Sequence, residues 1–138
     1  MVEGDVREQL VKIGAQMRKD YSDALRDINI HVGQDRALCQ LWKEDGITQI
    51  QLSERMGCEP PTVSNMVKKL ENYGLVERRR DKSDARISRV YLTDQGREIQ
   101  NPISEVWNKQ EEKLLQGIQE EEIVLVRSIL QKMIHNLN

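Results

Sequence analysis

The stretch from Ile47 to Thr93 decides the fold of this chain: ITQIQLSERMGCEPPTVSNMVKKLENYGLVERRRDKSDARISRVYLT. It predicts two short helices joined by a glycine-containing turn, followed by a basic hairpin with an Asp-x-Arg sequence at its tip. This is the order of a helix-turn-helix with a wing, in which one helix enters a DNA groove and a loop lies beside it. The stretch therefore predicts double-stranded DNA as a partner.

The first of these helices has a strong start signal. Thr48 suits the N-cap, and Gln51 three residues later completes a capping box. Ile47 and Leu52 occupy the hydrophobic-staple positions around that cap. These signals predict a helix over residues 49–56, which the following glycine ends in a tight turn.

The second helix is predicted to be amphipathic, with a proline at its first position. Its apolar residues fall in one narrow sector: Val63, Met66, Val67 and Leu70. Its opposite side is polar and basic: Ser64, Asn65, Lys68, Lys69 and Asn72. Serine and asparagine can hydrogen-bond base edges, and lysines can neutralise phosphates. A polar and basic helix face usually contacts only solvent. Here the capped helix before it and the basic hairpin after it favour contact with DNA.

The hairpin is predicted from two alternating segments, Leu75–Arg80 and Ile87–Leu92, with six polar residues between them. Its three consecutive arginines cannot all face DNA, because side chains alternate across a strand. We include Arg78, Arg80 and Lys82 among the expected DNA-binding residues.

The tip of the hairpin carries Arg86, with Asp84 two residues before it. A planar cation at a hairpin tip suits the narrow, negative minor groove. Alternatively, Asp84 and Arg86 only form a salt bridge that closes the turn. The two roles are compatible, and we include both residues in the expected site.

The charge of the chain is distributed unevenly. Its net charge is −2, and its pI of about 5.8 does not by itself indicate nucleic-acid binding. From Pro60 to Leu92, however, eight basic residues face four acidic ones, so this segment is +4 and the remainder is −6. Local asymmetry of this kind is typical of an electrostatic footprint for DNA.

Length and apolar periodicity predict one mainly α domain over residues 1–138 with a small β-wing, an α+β arrangement. The chain is 38% hydrophobic and contains no Phe, so its core should be thin and completed by dimerisation. Outside the deciding stretch, helices are predicted over four ranges: 5–28, 34–44, 94–116 with a bend at Pro102, and 120–135.

Several motifs resemble the MarR family of bacterial transcription regulators. They are ITQIQLSERMG, PPTVSNMVKKLENYGLVERRR, DARIS at the wing tip and LTDQGRE at the start of the next helix. Their order and spacing match from about Gln34 to Ile99. The resemblance implies a winged helix-turn-helix transcriptional regulator, which we expect to be a repressor that binds a palindromic operator as a homodimer.

The resemblance also implies how the chain is divided. Residues 34–93 would form the DNA-binding lobe, and residues 5–30 and 94–138 the dimerisation helices. The family's DNA-reading positions are occupied here by Pro61, Thr62, Ser64, Asn65, Lys68, Lys69 and Arg86. Two residues depart from the family pattern. Glu59 replaces a small N-capping residue, and Ala85 replaces a second wing arginine, so the affinity of the wing would either be lower or be supplied by Lys82 and Arg89.

The releasing signal has two alternatives, since members of the family respond to small aromatic or lipophilic molecules or to cysteine oxidation. An effector pocket would lie where the dimerisation helices meet the lobe, lined by Met17, Tyr21, Trp42 and Trp107. A redox-sensing regulator would act through Cys58, beside the recognition helix, or through Cys39. Both cysteines also suit ordinary packing positions.

Other classes find little support in the sequence. It contains no nucleophile–base pattern, phosphate loop or metal spacing, so we expect neither an enzyme nor a cofactor. No signal peptide or membrane span is apparent, and we expect a cytoplasmic protein. A winged-helix module that binds protein instead of DNA remains the competing class.

Overall fold

The structure is a computed structural model that describes residues 2–31 and 33–138. Its helices are α1 (Val2–Arg26), α2 (Gln34–Lys43), α3 (Gln49–Met56), α4 (Pro60–Asn72), α5 (Asp94–Glu98), α6 (Gln100–Leu114) and α7 (Glu120–Leu137). Its strands are β1 (Ile47–Thr48), β2 (Val76–Arg80) and β3 (Ser88–Leu92). The predicted fold class, mainly α with a small β-wing, is confirmed.

The three strands form one antiparallel sheet in the order β1-β3-β2. β3 pairs along its whole length with β2, from Val76 opposite Leu92 to Arg80 opposite Ser88. β1 covers only the inner part of β3, through Ile47 opposite Val90. The sequence did not predict β1, because a two-residue strand has no alternation to detect.

The core lies between α2, α3, α4 and the inner side of the sheet. The apolar sector predicted for α4 is buried through Val63, Val67 and Leu70, and both staple residues, Ile47 and Leu52, are buried as well. Leu25 of α1 and Ile103 of α6 are completely buried in the same cluster. The two flanking helices are therefore fixed to the lobe at these points.

The helix predicted over residues 94–116 is two helices, and its interruption falls at Ile99 instead of Pro102. Pro102 has no amide hydrogen to donate to the carbonyl of Glu98, and its ring crowds that carbonyl. The strain therefore appears in the turn before the proline. Hydrogen bonds from Ile103 to the Ile99 carbonyl and from Ile99 to the Gln95 carbonyl keep α5 and α6 nearly continuous.

The last helix, α7, contains no buried residue although half of its side chains are apolar. Between it and α6 runs a groove of about 500 Å³, to which α1 contributes Met17. The apolar side chains of α7 that line this groove are Ile123, Val126, Leu130 and Ile134. Because none of its side chains is buried, α7 lacks the packing that normally stabilises helices in proteins.

Candidate nucleic-acid interface

Helix α3, the first helix of the helix-turn-helix, begins and ends as predicted. The Thr48 hydroxyl accepts a hydrogen bond from the Gln51 amide at 3.0 Å, and the Gln51 side chain accepts one from the Thr48 amide at 3.0 Å, completing the capping box. Gly57 ends the helix with a φ of 65°, a left-handed conformation that glycine adopts without steric cost. The Arg36 guanidinium donates to the Met56 carbonyl at 3.0 Å, which holds the end of α3 against α2.

Helix α4 exposes the side opposite its buried residues. We name this side the recognition face; it comprises Pro61, Thr62, Ser64, Asn65, Lys68 and Lys69. All of these residues are exposed except Ser64, which is half-buried. The structure therefore brings six of the predicted DNA-binding residues together on one helix, and their contact with DNA stays a prediction.

Glu59 occupies the N-cap of α4, and its side chain makes no capping hydrogen bond. This fits the expectation that glutamate caps poorly. The two following residues are Pro60 and Pro61, which have no amide hydrogens to satisfy. A weak cap is tolerated here because the prolines have already removed donors from the first turn.

All four acidic residues between Pro60 and Leu92 form ion pairs with arginines of the same segment. The pairs are Glu71 with Arg78 at 2.9 Å, Asp81 with Arg89 at 2.7 Å, Asp84 with Arg86 at 3.0 Å, and Glu77 with Arg79. In the described part of the chain, four cations of this segment have no ion-pair partner: Lys68, Lys69, Arg80 and Lys82. We name them the free cations. The +4 charge of the segment thus resides on two lysines of the recognition face and two residues of the wing.

Arginine partners lower the pKa of three of these carboxylates. The hydrogen bond from the Arg78 side chain lowers the pKa of Glu71, and Arg89 in the same way lowers the pKa of Asp81. Arg86 likewise lowers the pKa of Asp84. These carboxylates are therefore ionised at neutral pH, and the pairing persists there.

The strand register separates the three consecutive arginines of β2. Arg78 lies opposite the buried Val90, whereas Arg79 lies opposite Arg89. Since side chains alternate along a strand, Arg80 shares the side of Arg78, which is the side that faces the helices. The prediction that only some of these arginines face one surface agrees with this register.

Arg78 joins the wing to the recognition helix. Its amide and its guanidinium donate to the two carboxylate oxygens of Glu71 at 3.2 and 2.9 Å. This contact holds the C-terminal end of α4 against the start of β2. Arg78 therefore has an anchoring role beside its predicted DNA contact, and Arg80 is the free cation on the same side of the strand.

The wing tip presents Arg86 on a fixed support. The Arg86 amide and Nε donate to Asp84 Oδ1 at 3.0 Å each, and Nη2 donates to Asp84 Oδ2 at 3.1 Å. The Arg86 side chain nevertheless remains 91% exposed, against 34% for that of Asp84. The salt bridge predicted at the tip thus closes the turn and leaves the outer edge of the guanidinium accessible, so the two predicted roles are compatible.

Sequence patterns did not predict the contacts that fix the base of the wing. Asp45 accepts hydrogen bonds from the Leu92 amide at 2.8 Å and from Arg97 at 3.2 Å. Arg89 donates to the Gly46 carbonyl at 2.9 Å. Each contact joins residues more than forty positions apart, so only the folded sheet brings them together.

The residues predicted for an effector pocket meet in part. Trp107 donates a hydrogen bond to the Tyr21 hydroxyl, and its ring lies 6.4 Å from that of Trp42 at 65°. The Tyr21 hydroxyl in turn donates to the completely buried Asp35 of α2. Met17 lies nearby and lines the groove beneath α7 together with Trp107. Binding of an effector by these side chains stays a prediction.

The two cysteines are free thiols, and both are half-buried. Cys58 lies in the turn between α3 and α4, where its Sγ is 3.7 Å from the Met56 carbonyl oxygen. Cys39 lies within α2. Neither environment distinguishes a sensor from a packing residue, so redox control also stays a prediction.

Within residues 2–31 and 33–138, no group of three His, Cys, Asp or Glu side chains is arranged to hold a metal ion. Over the same residues, no helix combines the length and the apolar character that crossing a bilayer requires.

Comparison with known proteins gives consistent matches. Residues 30–88 match the model of the MarR family. A MarR transcriptional regulator from Methanosarcina mazei is similar over 96% of both chains, with a TM-score of 0.86 and 24% identity. A MarR-like regulator from Bacillus cereus is similar over 100% of this chain and 99% of its own, with a TM-score of 0.86 and 22% identity.

A third similar structure is that of Staphylococcus aureus MepR in complex with DNA. It covers 95% of this chain and 96% of its own, with a TM-score of 0.86 and 26% identity. The family resemblance carried by the sequence motifs is confirmed by these matches. Residues 30–88 of this chain thus match the MarR family model, and the chain as a whole has the fold seen in the MarR regulators.

Proposed function

We propose that this protein is a transcriptional regulator that binds double-stranded DNA of specific sequence as a homodimer. The observation that carries the proposal is the distribution of the free cations, two on α4 and two on the wing. Phosphate neutralisation by lysine and arginine supplies most of the affinity of non-specific DNA binding. The DNA in the complex of the similar MepR structure supports the same conclusion.

Sequence specificity would come from the uncharged part of the recognition face. Thr62, Ser64 and Asn65 offer hydroxyl and amide groups to base edges, and Lys68 and Lys69 lie beside them on the same helix. Arg86 would enter the adjoining minor groove from the wing tip. One helix and one wing make a small interface, so a single subunit would bind weakly.

The homodimer is proposed from the apolar side chains that the single chain leaves exposed. They lie on α1, at the end of α6 and along α7, and include Val11 at 59%, Val124 at 63% and Ile134 at 60% exposure. A second copy of the same chain would cover them with its own α1 and α7, as the self-complementary surface of a two-fold dimer requires. Two recognition helices about 34 Å apart would then favour a palindromic operator.

Repression and release by an effector are the finer part of the proposal. We propose a repressor whose operator overlaps a promoter, on the strength of the family resemblance. The effector would be a small aromatic or lipophilic molecule bound near Trp107 and Tyr21, where α1, α2 and α6 meet. A reporter gene placed behind the bound promoter tests repression directly, since deletion of the regulator should raise its expression.

The decisive experiment selects duplexes with the protein from a random library and from the DNA that flanks its gene. We expect an enriched palindrome whose affinity falls roughly 10³- to 10⁵-fold between about 50 and 200 mM salt, for about 6–10 phosphate contacts. The test variant is Lys68→Gln, and its matched control is Lys109→Gln. Both lysines are exposed, but only Lys68 lies on the recognition face. Lys68→Gln should lower the salt slope by about one phosphate contact, and Lys109→Gln should leave it unchanged.

A winged-helix module that binds protein would behave differently in this experiment. It would enrich no duplex, and any shift would be insensitive to salt. Equal effects of the two lysine variants would remove the recognition face from the proposal even if the protein bound DNA.

A further inference from the structure

Arg89 lies in the central strand of the sheet and bonds to segments on both of its edges. Its Nε donates to Asp81 Oδ1 at 2.7 Å, and its Nη1 donates to the Gly46 carbonyl at 2.9 Å. Gly46 directly precedes β1, and Asp81 directly follows β2. One guanidinium thus connects the two outer strands across β3.

Arg89 also marks the point where the sheet changes its width. The pair of Thr48 with Arg89 is the outermost contact of β1, while β2 and β3 continue outward to the pair of Arg80 with Ser88. Beyond Arg89 the wing is therefore a two-stranded ribbon. Such ribbons twist strongly and have little stability of their own, so their direction must be fixed at the base.

Asp81 carries this support to the tip of the wing. Its Oδ2 accepts hydrogen bonds from the Ser83 and Asp84 amides at 3.0 Å each, and its own amide donates to the Ile87 carbonyl at 2.9 Å. Asp84 in turn holds Arg86. A continuous series of contacts therefore runs from Gly46 through Arg89, Asp81 and Asp84 to the exposed guanidinium of Arg86.

We propose that Arg89 and Asp81 are positioning residues for DNA binding, which fix the direction in which the wing presents Arg86. This inference rests on the proposed function. It assigns Arg89 a different role from the one suggested by its charge, which would make it a further phosphate contact. Two of its five N–H donors already bond to the protein. Asp81 also neutralises its charge, which leaves little attraction for a phosphate.

A charge role and a positioning role for the pair of Arg89 and Asp81 predict opposite results for Asp81→Asn. Arg89→Met removes a cation, whereas Asp81→Asn removes an anion close to the DNA and keeps an oxygen that can accept from the Ser83 and Asp84 amides. If charge alone mattered, Asp81→Asn would tighten binding. If the pair positions the wing, both variants weaken binding to the selected duplex by about tenfold, the value of one or two net hydrogen bonds. The double variant should then bind about as weakly as either single one, because both break the same support.

A footprint distinguishes positioning from general destabilisation. With either variant, protection from hydroxyl radicals should disappear where the wing lies and persist where the recognition helix lies. The matched control is Arg79→Met. Arg79 lies directly opposite Arg89, pairs with Glu77 and stacks on the Tyr91 ring, but makes no hydrogen bond to Gly46 or Asp81. The Arg79→Met variant should change the affinity by about twofold at most, as surface ion pairs contribute little.

The outcomes separate the inference from the function on which it rests. Unchanged or tighter binding by Asp81→Asn overturns the positioning role, and so does an Arg79→Met effect as large as that of Arg89→Met. If circular dichroism shows that Arg89→Met does not fold, Asp81→Asn alone decides. A parent chain that enriches no duplex overturns the proposed function and the inference together.

Discussion

The lobe and the flanking helices use apolar side chains in opposite ways. Of the sixteen buried hydrophobic residues found in the described part of the chain, thirteen lie between residues 34 and 93. Of the sixteen large hydrophobic residues that are exposed there, thirteen lie outside that range. Apolar periodicity of the same helical kind therefore marks a finished core in one region and an uncovered surface in the other.

This difference explains how a chain of low hydrophobic content reaches a stable fold. The lobe closes its core with α2, α3, α4 and the sheet. Of the described side chains of α1 and α6 it completely buries only Leu25 and Ile103, while Tyr21, Val106 and Trp107 of these helices pack against it partly buried. Among the described residues, the flanking helices and the turn between α6 and α7 instead expose thirteen large hydrophobic side chains, and clustered exposure of this kind marks an interaction surface. We infer that the lobe is largely complete within one chain, whereas α1 and α7 require a second copy.

The largest expected effect comes from a charge placed in the uncovered surface. Leu130 of α7 lines the groove beside α6, and Leu130→Asp would bury an unpaired carboxylate in the proposed dimer interface. We expect dimer dissociation to become easier by at least about a hundredfold, since an uncompensated buried charge costs several kcal/mol. Sedimentation at matched concentrations measures this.

The control for this variant is Ser128→Asp, which adds the same charge to α7 about 200° around the helix. Ser128 is exposed and does not line the groove. It should leave the dimer intact. A dimer that tolerates Leu130→Asp as well as it tolerates Ser128→Asp would show that this groove is not the interface.

A cavity in the lobe core should lower the free energy of unfolding without a comparable effect on dimerisation. Leu70 of α4 is completely buried, so Leu70→Ala should lower the free energy of unfolding by about 2–5 kcal/mol. Ile50→Ala is the matched control, because Ile50 is 67% exposed and its truncation should cost less than about 0.5 kcal/mol. Urea denaturation at fixed protein concentration compares them. A cost below about 1 kcal/mol for Leu70→Ala would mean that the lobe core is not closed as described.

A smaller effect, confined to DNA binding, is expected at the wing tip. Arg86→Ala removes an exposed guanidinium whose hydrogen bonds within the described part of the protein go only to Asp84 at the wing tip. It should weaken operator binding roughly 10- to 100-fold. The dimer and the thermal midpoint should stay as they are. If the variant binds the selected duplex as the parent does at matched salt, the wing tip does not enter the groove.

Local chemistry made much of the lobe predictable. The capping box of Thr48 and Gln51, the proline start of α4 and the alternation of β2 and β3 all involve residues close in sequence, and each occurs as predicted. β1 escaped prediction because its two residues become a strand only by pairing with β3. The break at Ile99 was displaced from Pro102 because a proline strains the turn that precedes it.

The candidate site was predictable in composition but not in its connections. The residues of the recognition face follow from helical periodicity, which is local. Which arginines remain free does not, because the pairs of Glu71 with Arg78 and Asp81 with Arg89 depend on how α4, β2 and β3 meet. A count of charges gave the net +4 correctly, and only the fold located it on Lys68, Lys69, Arg80 and Lys82.

The boundary between the two regions contains a buried titratable group, Asp35. Its carboxylate accepts hydrogen bonds from the Gly33 amide at 2.9 Å and from the Tyr21 hydroxyl of α1, to which Trp107 of α6 also donates. Burial raises the pKa of Asp35 above its usual value, and the Gly33 amide only partly offsets this. Asp35 therefore binds its proton more tightly in the folded protein than in the unfolded chain.

The last and smallest prediction follows from that shift. Because the folded pKa of Asp35 is raised, its contribution to stability is fully present below the usual aspartate value of 3.8 and is lost as the pH rises through the folded pKa. Asp35→Asn removes this titration while its side-chain oxygen still accepts from Gly33. The stability of the variant relative to the parent should therefore rise as the pH increases above the usual aspartate value of 3.8, and should level off once the pH exceeds the folded pKa of Asp35. Urea denaturation at a series of pH values measures the difference between the variant and the parent. A constant difference for Asp35→Asn would mean that the carboxylate is already solvated, and that α1 and α6 meet the lobe less tightly than the contacts of Tyr21 and Trp107 indicate.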